Sequence, residues 1–288
     1  MAFAVVCTTS WFAMDNIKDY SRDMRVMMRN FYGVVRTRDY TDPVPFRVMY
    51  HGAINHGGQL MSPEDQRKPS TYFGPTSGYG RAFASLPETP RRVGVLGLGA
   101  GAIAAYARKG DLFRFYEIDP QVAAVAMKEF TFLTGSPAQI DVVLGDGRLS
   151  LEREAPQRYD LLAIDAFSGD SIPMHLLTRE AMQVYMKHLA SDGVIVFQAT
   201  NRFVNIMPVV ERLAAAVGMT AVLVSDEPDS KAGGASYWLS ATDQILVTKN
   251  PRILNSEAVR SVAEPLPVNP KFPLWTDDFY NLLGILKR

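Results

Sequence analysis

Three glycines, Gly97, Gly99 and Gly101, stand between a short apolar run (Val93 to Leu96) and an Ala-rich segment. Two acids, Glu117 and Asp119, close the next apolar run, Leu112 to Tyr116. Residue types in this order can hold a nucleoside. Glycines let the backbone turn sharply and let a ligand come close to it. A helix start behind them offers free N–H groups and the positive end of a dipole. An acid at the tip of the following strand can accept hydrogen bonds from both ribose hydroxyls. A lone G-x-G-x-G also serves helix–strand packing, so the glycines carry this reading only with an acid about 20 residues further on, where the dinucleotide fingerprint puts it.

The elements that must position these residues follow from the pattern around them. Arg92 to Pro120 reads strand, glycine turn, helix, strand, acid, which is a βαβ unit. Beyond Asp119 the alternation predicts a helix over Val122 to Phe132, a strand over Ile140 to Leu144 and a tight GDGR turn from Gly145 to Arg148. It continues with a strand over Tyr159 to Ile164 ending in Asp165, a helix over Ala181 to Leu189 and a strand over Gly193 to Gln198. A helix over Val209 to Val217 and late strands at Thr220 to Val224 and Gln244 to Thr248 complete it. Strands alternating with helices imply an α/β fold with a mostly parallel sheet covered on both faces. Ligands of such sheets bind outside the carboxyl ends of the strands. Gly97, Glu117, Asp146, Asp165 and Gln198 all fall at such ends, so five polar or glycine positions should converge on one edge.

Upstream, three regions are expected: an apolar, helical segment over 1–28, a small β-rich domain with a lid loop over 29–87, and the nucleoside-binding α/β domain over 88–288. Met24, Met27 and Met28 read as a packed helix face. NFYGVVRTRDY and PFRVMYHGAINHGGQL alternate like hairpins, and SPEDQRKPSTYFGPTSGYG is a Pro- and Gly-rich loop with two exposed-looking aromatics, Tyr72 and Tyr79. Such a loop beside a nucleotide fold serves as a lid, a substrate wall or a plain linker.

Composition excludes several classes. Lys+Arg and Asp+Glu both number 30 in 288 residues, which gives no basic excess for nucleic acid. One cysteine, Cys7, rules out an internal disulfide framework, and four histidines without ligand spacing argue against a metal site. The apolar start MAFAVVCTTSWFAM is shorter than the roughly 20 residues of a membrane span. It reads as a packed segment or, through Trp11, Phe12 and Met14, as an interfacial one. The expectation is a cytoplasmic protein, with membrane proximity through the N-terminus as an open addition.

The sequence LGLGAG, YEID, GDGR, YDLLAIDAFSGDSIP and VIVFQATN resembles the spermidine synthase (aminopropyltransferase) family, from about Phe31 to the C-terminal WTDDFYNLL. It is closest to the spermidine-synthase-like domains fused to membrane segments. The resemblance implies a class I methyltransferase-like fold with a small N-terminal β domain, and a homo-oligomer. It implies that Gly97, Gly99 and Gly101 lie under the donor nucleoside, that Glu117 holds the ribose, and that Asp146 and Gly147 flank the adenine. It implies Asp165 as the catalytic aspartate, Gln59 near the donor, and Tyr72 on the wall of the amine pocket. Three departures stand out. Ala100 replaces an aspartate of the glycine loop, Ser168 falls where a second amine-binding aspartate is expected (Asp170 follows two residues later), and Tyr72–Phe73–Gly74–Pro75 replaces the family's lid run. Acids that would bind a polycation are thinned, while the nucleoside end is retained.

The implied chemistry needs no metal. A sulfonium leaves as a neutral thioether, so the protein must align a nucleophile and keep it unprotonated. An amine is mostly ammonium at neutral pH, and Asp165 is the carboxylate placed to take its proton, unless it only caps the next helix. The expected donor substrate is decarboxylated S-adenosylmethionine or S-adenosylmethionine itself, the acceptor a small-molecule amine, and the product methylthioadenosine. Methyl transfer or cleavage of S-adenosylmethionine is the alternative that Ala100 favours, by relieving repulsion with the donor's carboxylate. A non-catalytic nucleoside-binding module is the third. Asp119 joins the donor residues, and Ser168, Asp170, Gln198 and Tyr237 are the further substrate-binding candidates. Tyr237 and Trp238 equally suit a strand core. His51 and His56 read as hairpin-turn histidines, solvated or backbone-bonded rather than basic catalysts. Trp275, Asp277 and Asp278 pack back on the active-site face, the acids either replacing the missing amine ligands or capping a helix over FYNLLGILK.

Overall fold

The computed structural model describes residues 2–21, 23–52, 54–166, 173–229 and 236–287. Helix α1 (Ala2–Ser21) leads into a four-stranded antiparallel sheet made of β1 (Met24–Asn30), β2 (Gly33–Tyr40), β3 (Phe46–His51) and β4 (Ile54–Leu60), paired in that order. The methionines at 24–28 are therefore in a strand, not on a helix, and Met27 and Met28 are exposed on its edge. Alternation of Val26, Met28 and Asn30 with Arg25, Met27 and Arg29 is a partial period-2 signal that the Met spacing obscured. Val5, Val6, Trp11, Phe12, Met14 and Ile17 on α1 are exposed, and no helix of the described residues is long and apolar enough to cross a membrane.

Helix α2 (Gly78–Ser85) follows the loop, and then the large sheet begins. Its strands are β5 (Arg92–Leu96), β6 (Leu112–Glu117), β7 (Gln139–Leu144), β8 (Tyr159–Ile164), β9 (Leu189–Gln198), β10 (Thr220–Asp226), β11 (Thr242–Thr248) and β12 (Glu264–Pro265). Their spatial order is β12-β10-β11-β9-β8-β5-β6-β7; β7 to β9 run parallel and the strands beyond β9 antiparallel. Helices α3 (Pro120–Glu129), α4 (Gly147–Arg153), α5 (Arg179–His188) and α6 (Met207–Ala216) connect them. This is the expected α/β architecture: a mostly parallel sheet with a small antiparallel sheet ahead of it.

Alternate strand residues feed two cores, one on each face. Val93, Val95, Phe113, Phe115, Leu161 and Ala163 pack on one side, and Tyr116, Leu162, Ile164, Ile195 and Phe197 on the other. Burial on both faces explains why these strands read as continuous apolar runs rather than as alternation. The chain leaves β5 toward β6 and β7, then returns to β8 and β9 on the other side. The crevice at the carboxyl ends beside β5 is thus the switch point where α/β sheets bind ligands.

The small sheet is held over that crevice by polar ties. The Arg47 guanidinium donates to the Glu129 carbonyl (2.8 Å) and is ion-paired to Asp39 (2.6 Å), while Arg25 donates to the Glu129 carboxylate (2.5 Å). Asn30 donates to Asp119 (2.6 Å), and the Ala100 amide donates to the His56 carbonyl (2.8 Å). The β4 backbone therefore lies directly on the glycine loop.

Candidate active site

Register lines up the strand ends. Leu96 is opposite Tyr116 and Ile164, and Ile164 is opposite Phe197, so the next residues, Gly97, Glu117, Asp165 and Gln198, form one row along the carboxyl edge. The glycines serve close backbone approach. At Gly97 (φ +94°) a Cβ would collide with the Asp165 carbonyl, and at Gly99 (φ +52°) with the His56 carbonyl. The Ala-rich segment after them is a single 3-10 turn, Ala102–Tyr106, not the α-helix expected. The dipole argument for that helix therefore falls away.

Two cavities open on this edge. The first is lined by Gly97, Gly99, Glu117, Asp119, Asp146 and Gly147, with Tyr32, His51 and His56 from the small sheet above. Each acid in it is pinned. The Glu117 carboxylate accepts from the amides of Leu98 (3.0 Å) and Asp119 (2.8 Å). Burial pushes its carboxyl up to about 6, against the pull of those two amides. Asp119 caps α3 at the Gln121 amide (2.8 Å), and its other oxygen, Oδ2, is buried without a partner among the described residues. Asp146 caps α4 at the Leu149 amide (2.9 Å) and pairs with His175 (2.9 Å), which holds its carboxyl below the usual range. Carboxylates that accept only two bonds still have lone pairs to offer. Glu117 and the unpartnered Asp119 oxygen thus suit the two hydroxyls of a ribose.

The second cavity, about 1200 Å³ with its open mouth, is lined by Tyr50, Asn55, Tyr72, Gln198, Arg202 and Ser240 among others. Two residues line both cavities, Asp165 and His56. Asp165 is partly buried, and burial pushes its carboxyl up to about 8, although the Tyr72 hydroxyl donates to it (3.1 Å) and favours the ionised form. Burial, with His51 alongside at 5.5 Å between ring centroids, lowers His56 to about 4. Its Nε2 is occluded and has no partner among the described residues. At neutral pH the junction therefore holds a protonated carboxyl and a neutral imidazole.

Several expected residues stand elsewhere. Gln59 lines neither cavity: its fully buried carboxamide donates to the Gln66 carbonyl and the Thr131 hydroxyl (both 2.7 Å) and accepts from the Thr131 amide. Gly101 starts the 3-10 turn and packs against Leu133. Tyr237 lines neither cavity and stacks edge-on to Trp238. The neighbours Ser240 and Ala241 line the second one instead. Ala100 is fully buried below Gly57 and faces neither space, so its relief of donor repulsion has no geometric support. Ser168 and Asp170 lie outside the described residues. Asp277 grips Arg148 (2.6 and 2.7 Å) and takes the Thr178 hydroxyl, and the C-terminal stretch forms a 3-10 turn capped by Asn281 rather than an α-helix. Tyr79 is buried against Phe73.

The junction residue His56 is the main feature that local patterns misjudged. It is no solvated turn residue, because the hairpin carrying it is pressed on the glycine loop. Gln244 is a second: it donates to the Tyr72 carbonyl (2.8 Å) and accepts from the Tyr79 amide (2.9 Å), fixing the loop that brings Tyr72 to Asp165. With the Thr71 and Ser240 backbone bonds, this makes residues 70–79 a fixed wall rather than a linker.

No family model matches the chain. Over 143 residues, 48% of its length, it is 32% identical to a polyamine aminopropyltransferase of Vibrio vulnificus (strain CMCP6), and the match takes in 46% of that protein. The chain thus spans less than half the length of this curated relative. Among solved structures, a probable spermidine synthase from Corynebacterium glutamicum superimposes with a TM-score of 0.58 over 77% of this chain and 79% of its own, at 15% identity. Spermidine synthase from Thermotoga maritima gives 0.54 over 89% and 82%, at 14% identity. The resemblance to this family read from the sequence is borne out, and the fold is the one those structures share.

Proposed function

We propose that the chain is an aminopropyltransferase-type enzyme that moves an aminopropyl group from decarboxylated S-adenosylmethionine to an amine. The observation that carries this is the meeting of two cavities at Asp165 and His56, one suited to a nucleoside and one open to solvent. In this reading Glu117 and Asp119 hold the ribose, Asp146 and Gly147 border the base, and the sulfonium lies at the junction. The acceptor enters through the second cavity. Its nitrogen lone pair forms a bond to the carbon beside sulfur while the carbon–sulfur pair leaves with sulfur as neutral methylthioadenosine. The nitrogen's surplus proton passes to Asp165.

A base with a carboxyl near 8 looks mistuned, yet the donor corrects it. An adjacent positive charge favours the carboxylate, so a bound sulfonium ionises Asp165 in the complex where a base is required. Tyr72 steadies that carboxylate by donating to it. His56, held neutral, borders the junction without placing a second positive charge beside the attacking nitrogen. Oligomer formation and membrane proximity belong to the same reading, resting on the family likeness and on the exposed apolar residues of α1; light scattering with and without anionic vesicles tests them.

The experiment is calorimetry with decarboxylated S-adenosylmethionine, S-adenosylmethionine and methylthioadenosine, followed by product analysis with and without a primary amine. Tightest binding of the decarboxylated donor and an amine-dependent adduct are expected. Methylthioadenosine formed from S-adenosylmethionine without amine would replace this reading with the cleavage one, and binding of none of the three would end both.

A further inference from the structure

The second cavity has a polarity that the first lacks. Among the described residues that line it, Asp165 is the sole carboxylate and Arg202 the sole cation. Asp165 sits at the inner end, where the two cavities meet. Arg202 belongs to the loop after β9, is exposed, and joins no described residue by ion pair or hydrogen bond. The cavity's other lining includes the neutral polar groups of Gln198, Tyr50, Asn55 and Ser240.

A linear diamine needs a carboxylate for each ammonium it brings out of water. Here one end finds Asp165, and the other meets a guanidinium. Like charges brought together repel, and more strongly near a protein surface than in open water. An anionic end meets the opposite situation, because the guanidinium fork matches a carboxylate in two parallel hydrogen bonds. Resting on the aminopropyl-transfer reading, we propose that the acceptor is a primary amine carrying a carboxylate at its far end, with the amine at Asp165 and the carboxylate at Arg202.

Three four-carbon acceptors separate the possibilities, because they differ in tail charge: putrescine, n-butylamine and 4-aminobutyrate. With the decarboxylated donor, methylthioadenosine release and adduct mass should rank 4-aminobutyrate first and putrescine last, with at least tenfold in kcat/KM between them. Arg202→Gln should bring the three close together, and Arg202→Glu should invert the order. A wild-type preference for putrescine, or a ranking that Arg202→Glu leaves unchanged, overturns the proposal. Equilibrium binding of the same three compounds to the protein, with and without methylthioadenosine, keeps it testable if no turnover occurs. Tighter binding of 4-aminobutyrate, lost in Arg202→Gln, supports it even then, and equal, reversed or absent binding overturns it. Failure of the donor to bind or react is the separate outcome that removes the transfer reading.

Discussion

The two cavities differ in how they are built. The first lies along the edge of one sheet: apart from the shared Asp165, its acids come from one stretch, 117 to 146, and each of those is pinned by a backbone amide or a helix start. The second is assembled from segments far apart in the chain, around residues 50–56, 72, 198–202 and 240. Its geometry depends on the small sheet staying seated and on Gln244 holding the Tyr72 loop. Changes in the first should therefore act on donor affinity, and changes in the second on turnover and acceptor choice.

Asp165 belongs to both and gives the largest expected effect. Asp165→Asn should lower kcat by about 10²- to 10⁴-fold, the range for a lost general base, with donor affinity nearly kept. The same variant has a stability signature. A carboxyl raised to about 8 from an ordinary value near 4 binds more protons folded than unfolded, so the stability it allows is lost as pH rises from about 4 through 8. Asp165→Asn removes that loss and should melt several degrees above wild type at pH 8.5, with the difference fading toward pH 4. Donor binding should also release up to one proton below pH 8, read by calorimetry in buffers of different ionisation enthalpy; no release would break the idea that the sulfonium ionises Asp165.

Glu117→Gln comes next. Hydrogen bonds to a charged group contribute about 1.5–3 kcal/mol, so donor affinity should fall roughly 10- to 100-fold with kcat at saturating donor little changed. An equal fall in kcat would mean that the cavities are not separable. His56→Gln should do the reverse, lowering kcat about tenfold and leaving donor affinity intact. Its pH behaviour is distinctive: a histidine held near 4 when folded stabilises above its ordinary value of about 6.5, and this is lost as pH falls toward 4. Thermal melting of His56→Gln should therefore be flatter with pH over that interval.

The contrast also explains what the sequence revealed. The large sheet, the row of strand ends and the first cavity's acids were legible because strand, turn and acid follow one another locally and the sheet places them by topology. Asp119 was legible for the same reason. Gln59 and Asp277 stand away from the two cavities because their partners come from distant parts of the chain, Thr131 for one and Arg148 for the other. His56 read as an ordinary turn histidine and Arg202 drew no reading, since nothing local tells that a hairpin will lie on the glycine loop or that a strand-end loop will border its cavity. The methionine strand was hidden by a spacing that fits a helix as well.

Asp277 supplies the smallest effect and a sharp control. Arg148 holds its carboxyl at about 2 by donating to it, with burial opposing, so the stability it adds is present above about pH 4 and disappears as pH falls toward 2. The Asp277 side chain is 41% exposed, so screening reduces the contribution to about 1 kcal/mol. Asp277→Asn should lower the melting temperature by a few degrees at pH 7 and nearly nothing near pH 2. Because Asp277 borders neither of the two cavities, kcat/KM for donor and acceptor should stay within about twofold of wild type. A large rise in acceptor KM would restore the acid pair at the C-terminus as an amine ligand and weaken the case that Asp165 alone, among the described residues, supplies the negative end of the second cavity.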